Sequence, residues 1–569
     1  MYLVNTKNNL LVRAKVEVLN LLLFFLSLAI FVFARPYLST FFCHCASFFG
    51  MGLFFYSIRH VELKKYRFLI GVAWFFCVQA ALLNWLATPD YQGFYVYGLH
   101  SILCLLLAVQ FGLLILFLPR QSVSWKQVFF LSSLWTLFEW SRLFFLCGFI
   151  WNPVGLTLTA SVYTAQLAAF FGVYGLSWCV MFFNLVFYKS LMQKKLKNIG
   201  VWLLFCCIPI FVSFCYISVQ KQVLAKQKGS SLKIALVQTA IYPAEKNLFM
   251  ERKDQFVNPY VQWQRIGQTL QNKQQKSFDL IVLPEAAVSF SAKACVYTYD
   301  EAKKIVAGWA SNPLDSRELL TYPYAQKEMQ EGQIFWRVNN LFFAKMLALC
   351  FDSEVIIGLE ESVWGGGGDS YASAFFIQKD KAVPMRYDKR VLLPVAEYLP
   401  GEILRSLALR YGMTGFFTHG NEAGVFEGKG RYFPTICYEE CFGDKVRQGK
   451  KEGGNLLVNL SNDAWYPHSR LNYTHFDHGR VRSIENGVYQ VRACNTGVTA
   501  ALDPFGRVVG ELKGVGGSCD NLRDALVVHI PSKHVNTLYA RFGDAWIVAI
   551  CLSILVFFLL NGLFKRKKT

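Results

Sequence analysis

The chain has 569 residues, too many for one ordinary domain, and its hydrophobic residues reach 54% while charged residues make up only 17%, against roughly 25% charged in a typical soluble domain. That balance excludes a purely soluble protein. The net charge of +20 would suit a nucleic-acid binder, but much of it lies in short loops and the tail, and no recognition motif accompanies it; anionic headgroups and membrane orientation account for it better.

Eight apolar stretches of about the 20 residues needed to cross a hydrocarbon core are predicted, near 18–34, 37–57, 68–87, 95–118, 128–147, 164–188, 199–218 and 545–563. Basic residues cluster in alternate connections. They are Lys7, Arg13 and Lys15 in the N-terminal arm, Arg59, Lys64, Lys65 and Arg67 in the second loop, and Arg120 and Lys126 in the fourth. Lys189, Lys194, Lys195 and Lys197 follow in the sixth, and Lys565 to Lys568 form the tail. The intervening loops carry almost none. By the positive-inside rule the basic side, with both termini, is cytoplasmic, and the segment after the seventh span lies outside. The first span lacks a small-x-small cleavage site and runs on into further spans, so it is not read as a removable signal peptide. Three parts are therefore expected: a seven-helix membrane domain at 1–219, an extracytoplasmic domain at 220–543, and a last helix with a basic tail at 544–569.

Within 220–543 short apolar runs succeed one another at 232–238, 278–285, 353–360, 371–378, 431–439, 455–463, 487–495, 497–504 and 524–530. These read as mostly buried strands. Helix-like segments at 247–273, 334–350 and 474–486 separate some of them, which predicts an α/β domain with layered sheets. Residues 291–352 are ambiguous, and "WGGGGDS" (364–370) reads as a hairpin turn, since it lacks the Lys-Ser/Thr of a phosphate loop. Six of the sixteen cysteines fall outside the spans (Cys295, Cys350, Cys437, Cys441, Cys494 and Cys519), at spacings that match no compact disulfide framework; mostly free, buried thiols are expected.

Three strand ends or adjoining loops carry chemically unusual side chains. Glu285 ends "LIVLPE", Lys389 lies in "YDKRVLLPVAEYLP", and Cys437 ends "YFPTICYE". Singly, each has a bland explanation as a solvated, surface or packing residue. Together they form a unit. A thiol needs a base to become nucleophilic, a carboxylate can take its proton, and an ammonium stabilises both thiolate and oxyanion. Such a set suits acyl transfer through a thioester. The two glutamates that follow Cys437 would by themselves disfavour a thiolate.

The Glu–Lys–Cys order, with "LPE", "YDKRVLLPVAEYLP", "ICYEECFGD" and "VNLSNDAW", resembles the nitrilase superfamily. Within it the chain is similar to the membrane-bound branch, the apolipoprotein N-acyltransferases. "FEWSRLFFLCGFIWNPVG" looks like that branch's fifth span and following loop, and "GVYQVRACNTGVTAALDPFGRVVGEL" like its final strands. The resemblance implies a multi-span helical membrane domain plus an α/β/β/α sandwich. It implies Glu285 as general base, Lys389 as oxyanion stabiliser and Cys437 as nucleophile. Glu397 would be a second active-site carboxylate, Tyr438 and Glu439 supporting residues, and the Tyr438 N–H a second oxyanion donor. It further implies a phospholipid acyl donor, typically phosphatidylethanolamine, a diacylglyceryl apolipoprotein as acceptor, no metal or organic cofactor, a monomer, and a bacterial inner membrane with the catalytic domain on the periplasmic side. The sequence departs from the family in three places, the slightest being Leu283 before the Pro of the Glu motif, where Trp is common. Lys246 is followed by Asn247 where the family has a Lys-Trp pair, and 291–352 is longer than expected, which would bear on a lid or on the choice of acceptor.

Other signals compete. His468, His475, Asp477 and His478 raise the question of a metal site, but no ligand spacing supports one, and a polar helix is the preferred reading. Glu139 and Arg142 within the fifth span are expected to pair at i, i+3, with a contact to a lipid headgroup or incoming substrate as the functional alternative. A carbon–nitrogen hydrolase acting on small amides would use the same triad but would need no spans. A transporter would place its functional residues in the spans, which carry few charges.

Overall fold

The computed structural model describes residues 2–145, 148–309, 315–330, 332–362, 369–399, 401, 406, 416–514 and 521–566. Two compact units divide the chain: Met1–Gln222 with Thr537–Thr569, and Val223–Asn536.

In the first unit the apolar runs become helices, because in hydrocarbon a backbone must satisfy its own hydrogen bonds. The long ones are Tyr2–Phe33, Lys64–Leu82, Tyr95–Ile115, Ala168–Gln193 and Leu196–Lys226. The second predicted span is composite: Thr40–Cys45, a π-turn at Ala46–Gly50, and Met51–Ser57. A π-turn frees carbonyls from the regular ladder. Buried Asn184 recovers two of them, its Nδ2 donating to the carbonyls of Ala46 (3.0 Å) and Ser47 (2.9 Å) while its Oδ1 accepts from Gly52 N–H.

Eight spans were expected from the sequence. Among the described residues six helices are long and apolar enough to cross a membrane. The fifth predicted span, 128–147, forms Trp125–Ser141, whose 17 residues rise only about 25 Å, less than a typical hydrocarbon core. The eighth lies in Asp544–Arg566, with its apolar part at Asp544–Leu560.

Among the described residues the second unit holds fifteen strands. The first eight are β1 (Ser231–Gln238), β2 (Leu280–Val282), β3 (Tyr297–Thr298), β4 (Ala325–Gln330), β5 (Gln333–Val338), β6 (Glu354–Ser362), β7 (Ser370–Ile377) and β8 (Met385–Asp388). The others are β9 (Phe426–Glu427), β10 (Arg431–Ile436), β11 (Leu456–Ser461), β12 (Tyr489–Cys494), β13 (Ala500–Leu502), β14 (Val508–Glu511) and β15 (Asp524–Pro531). One six-stranded sheet runs β15-β1-β2-β6-β7-β8 and the other β14-β13-β12-β11-β10-β9. In each, three central strands are parallel: β1, β2 and β6 in the first, β10, β11 and β12 in the second.

Alternation along the strands makes the layers. Ile234, Leu236, Leu280, Val282 and Ile356 of the first sheet pack with Tyr432, Ile436, Val458, Leu460 and Val491 of the second. The intervening residues Ala235, Val237, Ile281, Val355 and Ile357 turn outward to Trp263, Ile266 and Leu270 on helix Pro259–Gln271 and to Leu341 and Phe343 on helix Asn340–Cys350. On the far side Phe433 and Leu457 meet Val446 of helix Gly443–Lys451. The result is the four-layered α/β/β/α arrangement expected of a nitrilase-like domain.

Several boundaries differ from those predicted. The run 334–350 is not one helix. Gln333–Val338 pairs antiparallel with β4 across a turn at Gly332, and the helix starts only where Asn339 caps it by accepting from Phe342 N–H. A third, three-stranded sheet, β3-β5-β4, thus lies within 291–352. The segment 247–273 is helical in two pieces, a 3-10 stretch at Met250–Gln255 and the helix at Pro259–Gln271. The hairpin turn predicted at 364–370 lies mostly outside the described residues, although β6 and β7 pair antiparallel as far as Ser362 and Ser370. β2 is shorter than 278–285 because Pro284 has no N–H to donate and Ala286 turns the chain at φ 44°.

Gly358 serves this turn directly. A Cβ there would lie 2.6 Å from Glu285 Cα, so only glycine lets the chain carrying Glu285 lie against β6.

Candidate active site

Chain direction gathers the chemistry at one end of the sandwich. Glu285 follows β2, Cys437 follows β10 and Asp463 follows β11, all at the carboxyl ends of parallel strands, where open α/β sheets form their sites. β8 reaches the same end because two antiparallel steps, β6 to β7 and β7 to β8, restore the direction of β6; Lys389 is the next residue.

Lys389 is fully buried, with Nζ 2.9 Å from Glu285 Oε1 and 2.6 Å from Glu397 Oε1. Burial alone would depress the ammonium, but Glu285, Glu397 and the Cys437 thiol together hold it well above its ordinary value. Burial pushes the Glu397 carboxyl up, against the pull of Lys389 and with added repulsion from Glu285. Glu397 is further fixed by accepting from Leu393 N–H (2.8 Å), so the tight 393–398 turn delivers its carboxylate to the lysine.

Cys437 opens a 3-10 turn, Cys437–Cys441, at φ 50° rather than ending the strand. Burial drives its thiol well above the ordinary range; Glu285, Asp463 and Glu397 push it the same way and Lys389 opposes them. A thiol held in this way would need a base to take its proton before it could act as a nucleophile. Glu439 braces the two reactive segments. Its carboxylate accepts from Ile436 N–H (2.7 Å) beside the cysteine, from Arg390 N–H (2.5 Å) beside the lysine, and from Tyr387 Oη (2.9 Å). Tyr438 is buried, its ring edge-on to Phe442 at 5.0 Å.

The structure thus brings Glu285, Lys389, Glu397, Cys437 and Glu439 into one cluster, and it adds residues that the sequence reading passed over. Helix Leu471–Asn486, read there as a polar helix, buries most of its polar side chains. Its His475 faces Asp463 Oδ1 through Nδ1 (2.9 Å) and the Cys437 carbonyl through Nε2 (3.0 Å). Behind it Arg492 pairs with Glu440, both fully buried, and lies 3.5 Å from Asp463 Oδ2. Cys437, Asp463 and His475 are close enough to present one ligand atom each to a metal ion, a set that shares only His475 with the residues considered earlier; His468 is exposed.

Lys246 is the other addition. It is buried, and its Nζ donates to the Ala286 carbonyl at 2.5 Å, holding the turn just after Glu285. The neighbouring Asn247 is exposed. Burial lowers the Lys246 ammonium from 10.5 to about 8, with Glu360 and Glu285 countering. Between those values the unfolded chain binds more protons, so raising the pH across this window favours the fold. Thermal unfolding in detergent should show that rise in the wild type and a flatter profile in Lys246→Met; identical profiles would remove Lys246 as its source.

In the membrane unit the expected Glu139–Arg142 ion pair is corrected. Glu139 Oε1 accepts from Val154 N–H (2.9 Å), whereas Arg142 Nε donates to Gln110 Oε1 (2.8 Å), and no direct ion pair joins them among the described residues. Both side chains are buried, so each uses a nearby polar partner to offset its desolvation.

Comparison with known proteins agrees with this architecture. The Carbon-nitrogen hydrolase family profile matches residues 233–516, and that of the Apolipoprotein N-acyltransferase N-terminal domain matches 27–186. The apolipoprotein N-acyltransferase of Chlamydia pneumoniae is 31% identical over 544 residues, covering 92% of this chain and 94% of that protein. The Chlamydia caviae enzyme of the same name is 31% identical over 542 residues (92% and 94%), and that of Rickettsia bellii 28% over 510 (88% and 87%). With a nitrilase-like cysteine site in one unit, apolar helices in the other and such likeness over nine-tenths of its length, this chain belongs to the apolipoprotein N-acyltransferase family.

Proposed function

We propose that the protein transfers an acyl chain from a phospholipid to the α-amino group of the diacylglyceryl-cysteine of an apolipoprotein, in two steps through a thioester on Cys437. The observation that carries this reading is buried Lys389 held between Glu285 and Glu397, with all three acting electrostatically on the Cys437 thiol. In the first step Glu285 takes the thiol proton and sulfur attacks the ester carbonyl. Lys389 and the Tyr438 N–H stabilise the oxyanion, and the lysophospholipid leaves with the proton. In the second step the acceptor amine, with an unperturbed pKa near ~7.7 and so partly neutral, attacks the thioester. Glu285 accepts its proton, the amide forms and the thiol is regenerated. These steps use no metal or organic cofactor. Phosphatidylethanolamine as donor, and a monomer in a bacterial inner membrane with the domain on the periplasmic side, rest on the family and on the alternation of basic loops.

Glu285→Gln provides the test. Incubated with phosphatidylethanolamine, wild-type enzyme should gain one acyl mass on Cys437, and the Gln variant should show none over the same interval while unfolding at a similar temperature. An adduct formed at the wild-type rate would assign the base elsewhere. Ammonia released from small amides, with no acyl transfer to a lipopeptide, would replace this reading with an amidase.

A further inference from the structure

Cys437 adopts φ 50°, a left-handed conformation that is strained for a non-glycine residue and persists only where its surroundings enforce it. Two contacts do so. On the N-terminal side Glu439 takes the Ile436 N–H. On the C-terminal side His475 Nε2 lies 3.0 Å from the Cys437 carbonyl oxygen. A carbonyl only accepts, so Nε2 carries a hydrogen and donates it.

The histidine is itself anchored. Its Nδ1 is 2.9 Å from Asp463 Oδ1, and Asp463 is backed by Arg492, which pairs with Glu440; Glu440 also accepts from Gln490. All these side chains are buried. Gly479, one turn along from His475, admits Glu440, since a Cβ there would lie 2.6 Å from Glu440 Oε1. This is a rigid polar stack ending on one backbone oxygen of the nucleophile.

The peptide between Cys437 and Tyr438 is trans and planar, so its C=O and N–H point in opposite directions. A carbonyl held on His475 aims the Tyr438 N–H away from the histidine. We infer that His475 is a positioning residue for the acylation step: by holding the Cys437 carbonyl it fixes the 437–438 peptide plane and with it the oxyanion donor at Tyr438. This rests on the acyl-transfer reading above. Its consequence is specific. His475 serves the tetrahedral intermediate, which needs the N–H, and not the nucleophilicity of the sulfur.

Two substitutions separate these roles. Gln places an amide N–H close to the position of Nε2, whereas Asn reaches only that of Nδ1. Full-length enzyme in detergent micelles would be given phosphatidylethanolamine, and acylation of Cys437 followed by mass spectrometry; in parallel the thiol would be alkylated with iodoacetamide, a reaction with no oxyanion. His475→Asn should slow acylation on the order of tenfold to a hundredfold, as expected for a misaligned donor, while alkylation stays within about threefold of wild type. His475→Gln should recover most of the lost rate. Unchanged acylation in a folded Asn variant overturns the inference, and so does a parallel fall in alkylation, which would place His475 on the thiol itself. If the Asn variant does not fold, the Gln variant decides: retained acylation supports the clamp, and lost acylation overturns it. A wild-type enzyme that alkylates but never acylates would refute the acyl-transfer reading instead.

Discussion

Cys437→Ala is expected to leave no acyl adduct after incubation with phospholipid and to lower transfer to a lipopeptide acceptor by at least about a thousandfold, because the proposed mechanism carries the acyl group on the Cys437 sulfur. Cys441 supplies the control. It is buried four residues on, burial holds its thiol well above the ordinary range, and its carbonyl accepts from Arg482. Cys441→Ala should therefore retain the adduct on Cys437. Intact-protein and peptide mass spectrometry distinguish the two sites directly. An acylated Cys437→Ala protein would place the nucleophile elsewhere.

Lys389→Met should fail in two ways at once. Catalytically it removes the proposed oxyanion donor, worth roughly a hundredfold to a thousandfold. Structurally it strips the cation from Glu285 and Glu397, which lie 2.9 and 2.6 Å from its Nζ. Removing one partner from a buried ionic cluster typically costs about 3–5 kcal/mol. The instability should ease at lower pH, since protonating Glu397, whose carboxyl burial already pushes up, relieves the repulsion that remains. Adding Glu397→Gln to Lys389→Met should accordingly restore part of the stability in denaturant unfolding and none of the acylation. If the double variant is no more stable than the single one, the carboxylates are not the source of the loss.

Both predictions depend on a division of labour across the sandwich. The first sheet contributes Glu285 and Lys389, and the second contributes Cys437 with Asp463 beneath it. Glu439 joins the two by taking amide hydrogens from Ile436 and Arg390. The glutamates after Cys437, which looked unfavourable for a thiolate, thus have separate duties. Glu439 is spent on backbone hydrogen bonds, and Glu440 is neutralised by Arg492.

Local patterns were enough to reveal the membrane helices, the alternating strands and the three side chains at strand ends, since hydrophobic periodicity and an interrupted apolar run are features of a few neighbouring residues. They were not enough where an outcome depended on distant partners. Residues 334–338 read as part of a helix until pairing with β4 made them a strand. The fifth span looked long enough until its helix ended at Ser141, and Arg142 looked paired to Glu139 until Gln110 offered a nearer oxygen. Above all, a polar residue in a sequence looks solvated by default. His475, Asp463 and Lys246 acquire their meaning from burial against Cys437, Arg492 and Ala286, contacts that join separate elements and exist only once the layers have packed. The cost of leaving a buried polar group unsatisfied makes those contacts obligatory in the folded chain, and no run of adjacent residues encodes which partner will meet it.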